Sequence, residues 1–280
     1  MTAIQDTGKF RTDLGDRYYT SPDTAALCLI SAQSVIPNPG GLRWIEPAAG
    51  AGAFVDALKG LVEGVDVTAL DIAPGRADIQ KADFMSWTGA GSGTVFFGNP
   101  PFGRQAATAR RFIGRAAELG AAWIAFILPL SFEKPSMEKA FPLIYHRRLS
   151  FRLNSHAFLV NGEPHDVPCV FQVWERMTQP RTVAVAIIPN NFEFVKSTTA
   201  HDIVVRRVGV YAGRAFLAGG LHSPQSHYFI KITTNCAKSR VVQKLNEHTF
   251  PTNTTGPRSL SKGEITEVLG PIVAVAHLVS

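Results

Sequence analysis

Asn99-Pro100-Pro101-Phe102 is the stretch whose residue types define a chemistry most narrowly. Two consecutive prolines fix the backbone and remove two amide donors, so the turn offers acceptors without competing N–H groups. The side-chain oxygen of Asn99 and the carbonyl of Pro100 can each accept a hydrogen bond from an –NH2 group. An amine held at both hydrogens presents its lone pair in one direction, which is catalysis by positioning. Phe102 adds an aromatic face on which a base taken out of its helix can stack. A helix-entry turn is the plain alternative.

Further clusters lie upstream. Glu46-Pro47-Ala48-Ala49-Gly50-Ala51-Gly52 combines small residues, which let a ligand approach the backbone, with the free N–H groups of a following helix. The carboxylate before the glycines suits a cationic ligand better than a pyrophosphate, although a lone G-x-G also occurs in ordinary tight turns. Asp71 follows at the end of the next strand, where an acid can accept both hydroxyls of a ribose; it can equally cap a helix before Pro74. Ile72 would flank a purine. Asp83-Phe84 can accept from an adenine amine and pack beside the ring, or form a surface turn. Tyr18-Tyr19-Thr20-Ser21-Pro22 reads by itself as a capped helix start, and in context as a segment closing over a ligand.

The elements that must position these residues alternate between two periodicities. Residues 21–34 predict a helix with Ser21 at the N-cap and Pro22 at its first position. Leu42–Ile45, Val65–Leu70, Thr94–Phe97 and the continuous apolar run 122–128 predict buried strands. Helices are expected over Phe54–Leu61, 104–119 and Met137–Tyr145, with a short one at Ala77–Gln80. Leu149–Val160 and Val167–Trp174 predict two strands around an Asn161-Gly162 turn. The pattern implies an α/β fold, an open, mostly parallel sheet wound on both faces. Ligands of such sheets sit beyond the carboxyl ends of the strands, and Glu46–Gly52, Asp71 and Asn99–Phe102 all fall at such ends.

The whole net charge of +6 lies in the last hundred residues: residues 1–178 hold 17 Lys/Arg and 17 Asp/Glu, residues 179–280 hold 11 and 5. After Gln179-Pro180-Arg181 short β-like runs (Val183–Ile188, Asp202–Val210, Tyr228–Thr233) alternate with Gly, Pro, Asn and Ser, so a boundary is drawn near residue 178. The expected organisation is an N-terminal arm over 1–16, an α/β domain over 17–178 and a small, basic, β-rich region over 179–280. A basic appendage on a neutral domain fits a polyanionic partner. Arg206, Arg207, Arg214 and Lys231, interleaved with Tyr211, Phe216, Tyr228 and Phe229, are the candidate nucleic-acid contacts. His227 is expected to be a satisfied structural histidine, and Ser261 with Glu264 to open a helix. Cys28, Cys169 and Cys236 are sparse and odd in number, which predicts reduced buried thiols and no metal site. No apolar run reaches the ~18 residues of a membrane span, and the start lacks a secretory h-region; a cytoplasmic protein is expected.

Taken together these residues resemble the S-adenosylmethionine-dependent amino-methyltransferases, in particular the adenine-N6 DNA methyltransferases, over roughly residues 17–178. Tyr19–Pro22 resembles the family's YTP-type cofactor motif, here with Ser21 before the proline. Glu46–Gly52 is similar to its glycine-rich loop, Asp71 and Asp83-Phe84 to its ribose and adenine contacts, and Asn99–Phe102 to its (D/N/S)-P-P-(Y/F) motif. The order of motifs, with a basic part last, is the family's gamma-class arrangement. The resemblance implies a seven-stranded Rossmann-like sheet. It implies a cofactor held by Tyr19, Thr20, Glu46, Pro47, Ala48, Gly50, Gly52, Asp71, Ile72, Asp83, Phe84 and Asn99. Asn99, Pro100, Pro101 and Phe102 would carry out methyl transfer to adenine N6 in DNA on a flipped base. Adenine in RNA or a protein glutamine amide are alternative acceptors of the same chemistry, and a catalytically silent nucleic-acid-binding subunit is an alternative of another kind.

Overall fold

A period-2 apolar pattern, read on both faces at once, organises the first of two compact units, Met1–Val183 and Ala184–Ser280. The computed structural model describes residues 18–89, 93–182, 189–254 and 257–278. The first unit runs β1 (Tyr19–Thr20), α1 (Pro22–Gln33), β2 (Arg43–Glu46), α2 (Ala53–Leu61), β3 (Asp66–Asp71), β4 (Gln80–Lys81) and β5 (Thr94–Gly98). It continues with α3 (Ala107–Glu118), β6 (Trp123–Pro129), β7 (Tyr145–Arg152), β8 (Phe158–Val160), β9 (Glu163–His165) and β10 (Cys169–Arg176). Seven strands form one sheet in the order β4-β3-β2-β5-β6-β10-β7. Neighbours from β4 to β6 are parallel, and β10 lies antiparallel between β6 and β7. This is the doubly wound, Rossmann-like, seven-stranded sheet expected from the sequence.

β5 and β6 are buried along their whole length because both faces are covered, as a parallel sheet requires. Val95, Phe97, Trp123, Ala125 and Ile127 join α1 and α2 in one core. Their alternates Phe96, Ile124, Phe126 and Leu128 join Ala109, Phe112, Ile113 and Ala116 of α3 in the other. The side chain of Ser21 caps α1 by accepting from the Thr24 amide at 3.3 Å, as expected.

Several local expectations are corrected. Ala77–Gln80 is not a helix; Gln80 instead starts β4. The helix expected over Met137–Tyr145 is a 3-10 turn over Pro135–Ala140 that ends before Pro142, and Tyr145 begins β7. A proline there removes a helical donor and crowds the preceding turn. Leu149–Val160 is two strands: β7 belongs to the main sheet and β8 does not. The Asn161-Gly162 turn, with both residues at positive φ (52° and 84°), joins β8 to β9. That hairpin pairs with β1 in a separate three-stranded sheet. Residues 104–119 are helical only from Ala107, after a turn with Gln105 and Ala106 at positive φ.

The first unit extends past residue 178 because Arg181 is anchored in it. Its guanidinium donates to the carbonyls of Glu138, Phe141, Pro142 and Tyr145 at 2.6–3.0 Å and lies 5.3 Å from the Trp174 ring centroid.

The second unit consists of β11 (Phe192–Val195), β12 (Ile203–Arg206), β13 (Ala215–Leu217), β14 (His227–Ile232), α4 (Lys238–Glu247) and α5 (Lys262–Leu278). Its antiparallel sheet has the order β11-β14-β12-β13. Ile203, Val205, Ile230 and Ile232 pack with Val241, Leu245, Ile265 and Leu269 of the two helices, so the expected C-terminal sheet is backed by two helices. Ser261 and Glu264 form the expected reciprocal cap of α5 at 2.8 and 3.2 Å. The run Val183–Ile188 lies outside the described residues.

Arg181→Ala should lower the unfolding free energy of the first unit by roughly 2–4 kcal/mol, since four carbonyls lose a charged donor. Arg181→Lys should recover little of it, because an ammonium cannot reproduce a planar fork. Denaturant titration followed by tryptophan fluorescence measures both; a wild-type midpoint for Arg181→Ala would contradict this account.

Candidate functional site

Strand order reverses between β2 and β5: from β2 the sheet grows through β3 to β4, and from β5 through β6. The crevice at such a switch point is where an open α/β sheet can receive a ligand. Here the ends of β2 and β5 carry Glu46 and Gly98-Asn99, and a cleft of about 450 Å3 opens beside them. Every residue proposed from the sequence for cofactor or catalysis lines it, apart from Gly52, which sits at the N-cap of α2.

The glycine loop is fixed by the next strand. Asp71 accepts from the Gly50 amide at 2.7 Å through one oxygen and from the Ala73 amide at 2.8 Å through the other. Ala49 donates to the Leu70 carbonyl, and Gly75 to that of Gly50. Asp71 therefore ties the loop to the turn after β3, and each of its oxygens keeps a lone pair toward the cleft. Gly50 is at φ +52°, and a Cβ there would come within 3.1 Å of the Tyr19 ring, so the tyrosine lies directly on the loop. Ile72, 67% exposed, stands at the rim. Asp83 accepts from the Met85 amide at 2.9 Å. Phe84 is buried against Phe96 and Phe112, with ring centroids 5.6 and 5.1 Å away.

Glu46 is 2% exposed, and its Oε2 has no hydrogen-bond partner. Burial, and then the charge of Asp71, push its carboxyl well above the ordinary range, against the opposing effect of the Val55 amide. Gly98, which the sequence reading passed over, makes this packing possible. It is at φ +120°, and a Cβ on it would lie 3.0 Å from Glu46 Cγ. The signal was present as a glycine ending an otherwise apolar strand just before Asn99.

Asn99 carries the second orphan. Its Nδ2 donates to the Tyr18 carbonyl at 3.1 Å. This turns Oδ1 the other way, where it is buried without a partner. The following turn is locked by the Phe102 carbonyl, which accepts from the Thr108 and Ala109 amides at 3.1 and 3.3 Å. The half-buried Phe102 ring packs against both cores of the sheet. Tyr18, of the segment expected to close over a ligand, lines the cleft as well; Thr108, Arg111 and Phe112 also line it and were not proposed from sequence; Arg111 is the one cation among the lining residues, against Glu46, Asp71 and Asp83. Among the described residues no group of His, Cys, Asp and Glu is arranged to hold a metal. All three cysteines are free and buried.

The basic residues of the second unit separate into distinct settings. Arg206 donates to the Val208 carbonyl at 3.1 Å. Arg207 lies 5.3 Å from the Tyr228 ring centroid. Lys231 stands opposite Glu193 across the sheet. Arg214 is exposed and lies 5.9 and 5.8 Å from the ring centroids of Tyr211 and Phe216, and His222 packs on Phe216 at 5.3 Å. His227 is satisfied by Ser226 Oγ and the Ser223 carbonyl at 3.0 and 3.1 Å, and burial lowers its pKa.

No protein-family model and no curated protein matches the chain. Solved structures do. Protein 1320 of Thermoplasma acidophilum is 22% identical, with a TM-score of 0.43 over 57% of this chain and 89% of that one. A protein of Pyrococcus horikoshii, provisionally described as an RNA methyltransferase, is 14% identical, with a TM-score of 0.46 over 62% of this chain and 93% of that one. The type I restriction-modification methyltransferase subunit of Streptococcus thermophilus is 13% identical, with a TM-score of 0.44 over 60% of this chain and 47% of that one.

Glu46 predicts a pH signature. With the folded-state value raised above the unfolded one, the ligand-free protein suffers no penalty below the ordinary glutamate range. It loses stability as pH rises from there toward the raised value. Glu46→Gln should remove that part of the slope and be the more stable protein at neutral pH. Thermal unfolding from pH 4 to 8 measures this; parallel wild-type and variant curves would refute it.

Proposed function

We propose that this chain is an S-adenosylmethionine-dependent methyltransferase that acts on the N6 amine of adenine in DNA. The observation that carries the reading is the Asn99 side chain: its nitrogen is engaged by Tyr18, and its oxygen, buried and unpartnered, is left to accept at the cleft. A buried acceptor without a donor costs about 1–3 kcal/mol, and an incoming –NH2 group supplies the missing donor.

The residues present fit the cofactor. Glu46, buried with a bare Oε2, is the partner a cationic ligand needs. Asp71 offers acceptors for a ribose, Ile72 and Phe84 apolar faces for a purine, and Asp83 an acceptor for its amine. Tyr19 and Thr20 close the loop side, with Pro47, Ala48, Gly50 and Gly52 allowing close approach. When bound, S-adenosylmethionine supplies a methyl group activated on a sulfonium. The chain's own part is to hold the acceptor amine. Asn99 Oδ1 and the Pro100 carbonyl take its two hydrogens, Pro101 keeps the turn rigid, and Phe102 stacks on the base. An amine held this way that received the methyl, with a neutral thioether leaving, would shed its extra proton readily to solvent, so the chain would need no strong base.

Nucleic acid is favoured as the substrate by the second unit. Residues 203–246 contain seven Lys/Arg and no Asp or Glu. Tyr211, 59% exposed, Arg214 and Phe216 place a cation between aromatic faces, the combination used to contact phosphates and unpaired bases. Arg206, Arg207 and Lys231 add to the field, Arg206 with its Nε on the Val208 carbonyl and Arg207 over the Tyr228 ring.

The test is incubation with labelled S-adenosylmethionine and duplex DNA, single-stranded DNA, structured RNA or a protein extract, with products identified by mass spectrometry. N6-methyladenine in DNA, reduced at least 100-fold by Asn99→Ala, is expected. Label in RNA or on a glutamine would overturn the substrate, and no label despite cofactor binding would overturn the activity. Arg214→Ala should weaken DNA binding about equally across sequences and reduce the slope of log K against log salt by about 1, read by fluorescence anisotropy. An unchanged slope would remove Arg214 from the interface.

A further inference from the structure

The group that orients Asn99 is a main-chain carbonyl, that of Tyr18, at the entry to β1, one of the shortest strands of the unit. β1 is two residues long, and its sheet partner β8 is three. Strand pairing on that scale is marginal. The Tyr18 ring packs against the core of the unit and against the hairpin. It stacks on His165 of β9 at 5.3 Å with 18° between the planes, and meets Phe158 of β8 edge-on at 6.2 Å. The hairpin β8–β9 thus grips Tyr18 by two aromatic contacts. A bond from Ser21 N to the Ala157 carbonyl at 3.0 Å fastens the next turn of chain to the same hairpin.

The hold matters because an asparagine amide turns easily about its last side-chain torsion, which has no sharp staggered wells. The bond to the Tyr18 carbonyl opposes that rotation. If the Tyr18 carbonyl shifts, the amide turns and Oδ1 no longer faces the position of an acceptor amine. We propose that His165, which lies on an exposed strand and is not among the lining residues of the cleft, is a positioning residue for Asn99, acting through the ring and carbonyl of Tyr18. The β8–β9 hairpin is then part of the machinery that aims the amine-holding acceptor. The inference rests on the methyltransferase reading for its consequence in turnover, and on geometry alone for the link from His165 to Asn99.

The experiment uses the full chain with His165→Ala and His165→Phe, each alone and combined with Asn99→Ala. One readout needs no activity: proton exchange of the Asn99 side-chain amide by NMR, its signal identified by its loss in Asn99→Ala. His165→Ala should speed that exchange, and His165→Phe, which keeps an aromatic plane and has no titrating group, should restore it. The second readout is single-turnover methylation with enzyme in excess. His165→Ala should slow it about 10-fold, in line with the cost of small misplacements, with cofactor affinity within about twofold, and His165→Phe should recover most of the rate with an unchanged pH profile. In the Asn99→Ala background the same change should cost nothing further, because the group being positioned is gone. Unchanged amide exchange in His165→Ala, or an equal loss of rate in both backgrounds, would overturn the proposal. Wild-type turnover by Asn99→Ala would instead overturn the functional reading and leave the amide measurement to decide the link.

Discussion

The parting of β2 from β5 is the constraint on which the rest of the molecule depends. A parallel sheet whose order reverses leaves two adjacent strand ends whose following segments leave in opposite directions, and no helix covers the gap. Both ends place a polar side chain at the gap, Glu46 on one side and Asn99 on the other, and both side chains keep a buried atom without a partner. The two cores on either face of β5 and β6 supply the rigidity that lets such groups persist. A softer scaffold would relax until each orphan found a donor or water.

Around that gap the structure uses backbone more than side chains. Asp71 spends both oxygens on amides of the glycine loop and its own turn, so its contribution to the loop's shape exists before any ligand arrives. Gly98 works by absence, making room for the carboxylate of Glu46. The Phe102 carbonyl, engaged by two amides of α3, stiffens the acceptor turn from its far side. Charge follows the same logic, with three carboxylates and one guanidinium lining a cleft whose other walls are largely apolar.

Much of this was legible in the sequence because the signals were local. Continuous apolar runs marked β5 and β6, a serine before a proline marked α1, and small residues between an acid and a helix marked the loop. What escaped were relations between distant residues. The role of Tyr18 lies in its carbonyl, which no residue type announces. The pairing of β1 with β8 is a tertiary choice that split a long β-like run in two. Pro142 overrode an apolar helical pattern, and α4 went unread because its apolar positions, Val241 and Leu245, are few in a polar stretch. Arg181, placed from sequence just past the boundary of the α/β domain, is a staple of the first unit because four carbonyls converge on it.

The pairing of Tyr19 with Leu159 also has a consequence in time. Bringing together residues so far apart in the chain closes a long loop, and such contacts form late, after local ones have reduced the entropy to be lost. During synthesis the glycine loop and the Asn99 turn are both made before the hairpin that completes β1's sheet exists. At that stage β2 to β6 are made, while the Asn99 amide still lacks the hairpin that holds its Tyr18 acceptor. The aim of that side chain therefore waits on the hairpin, and is lost when the hairpin opens.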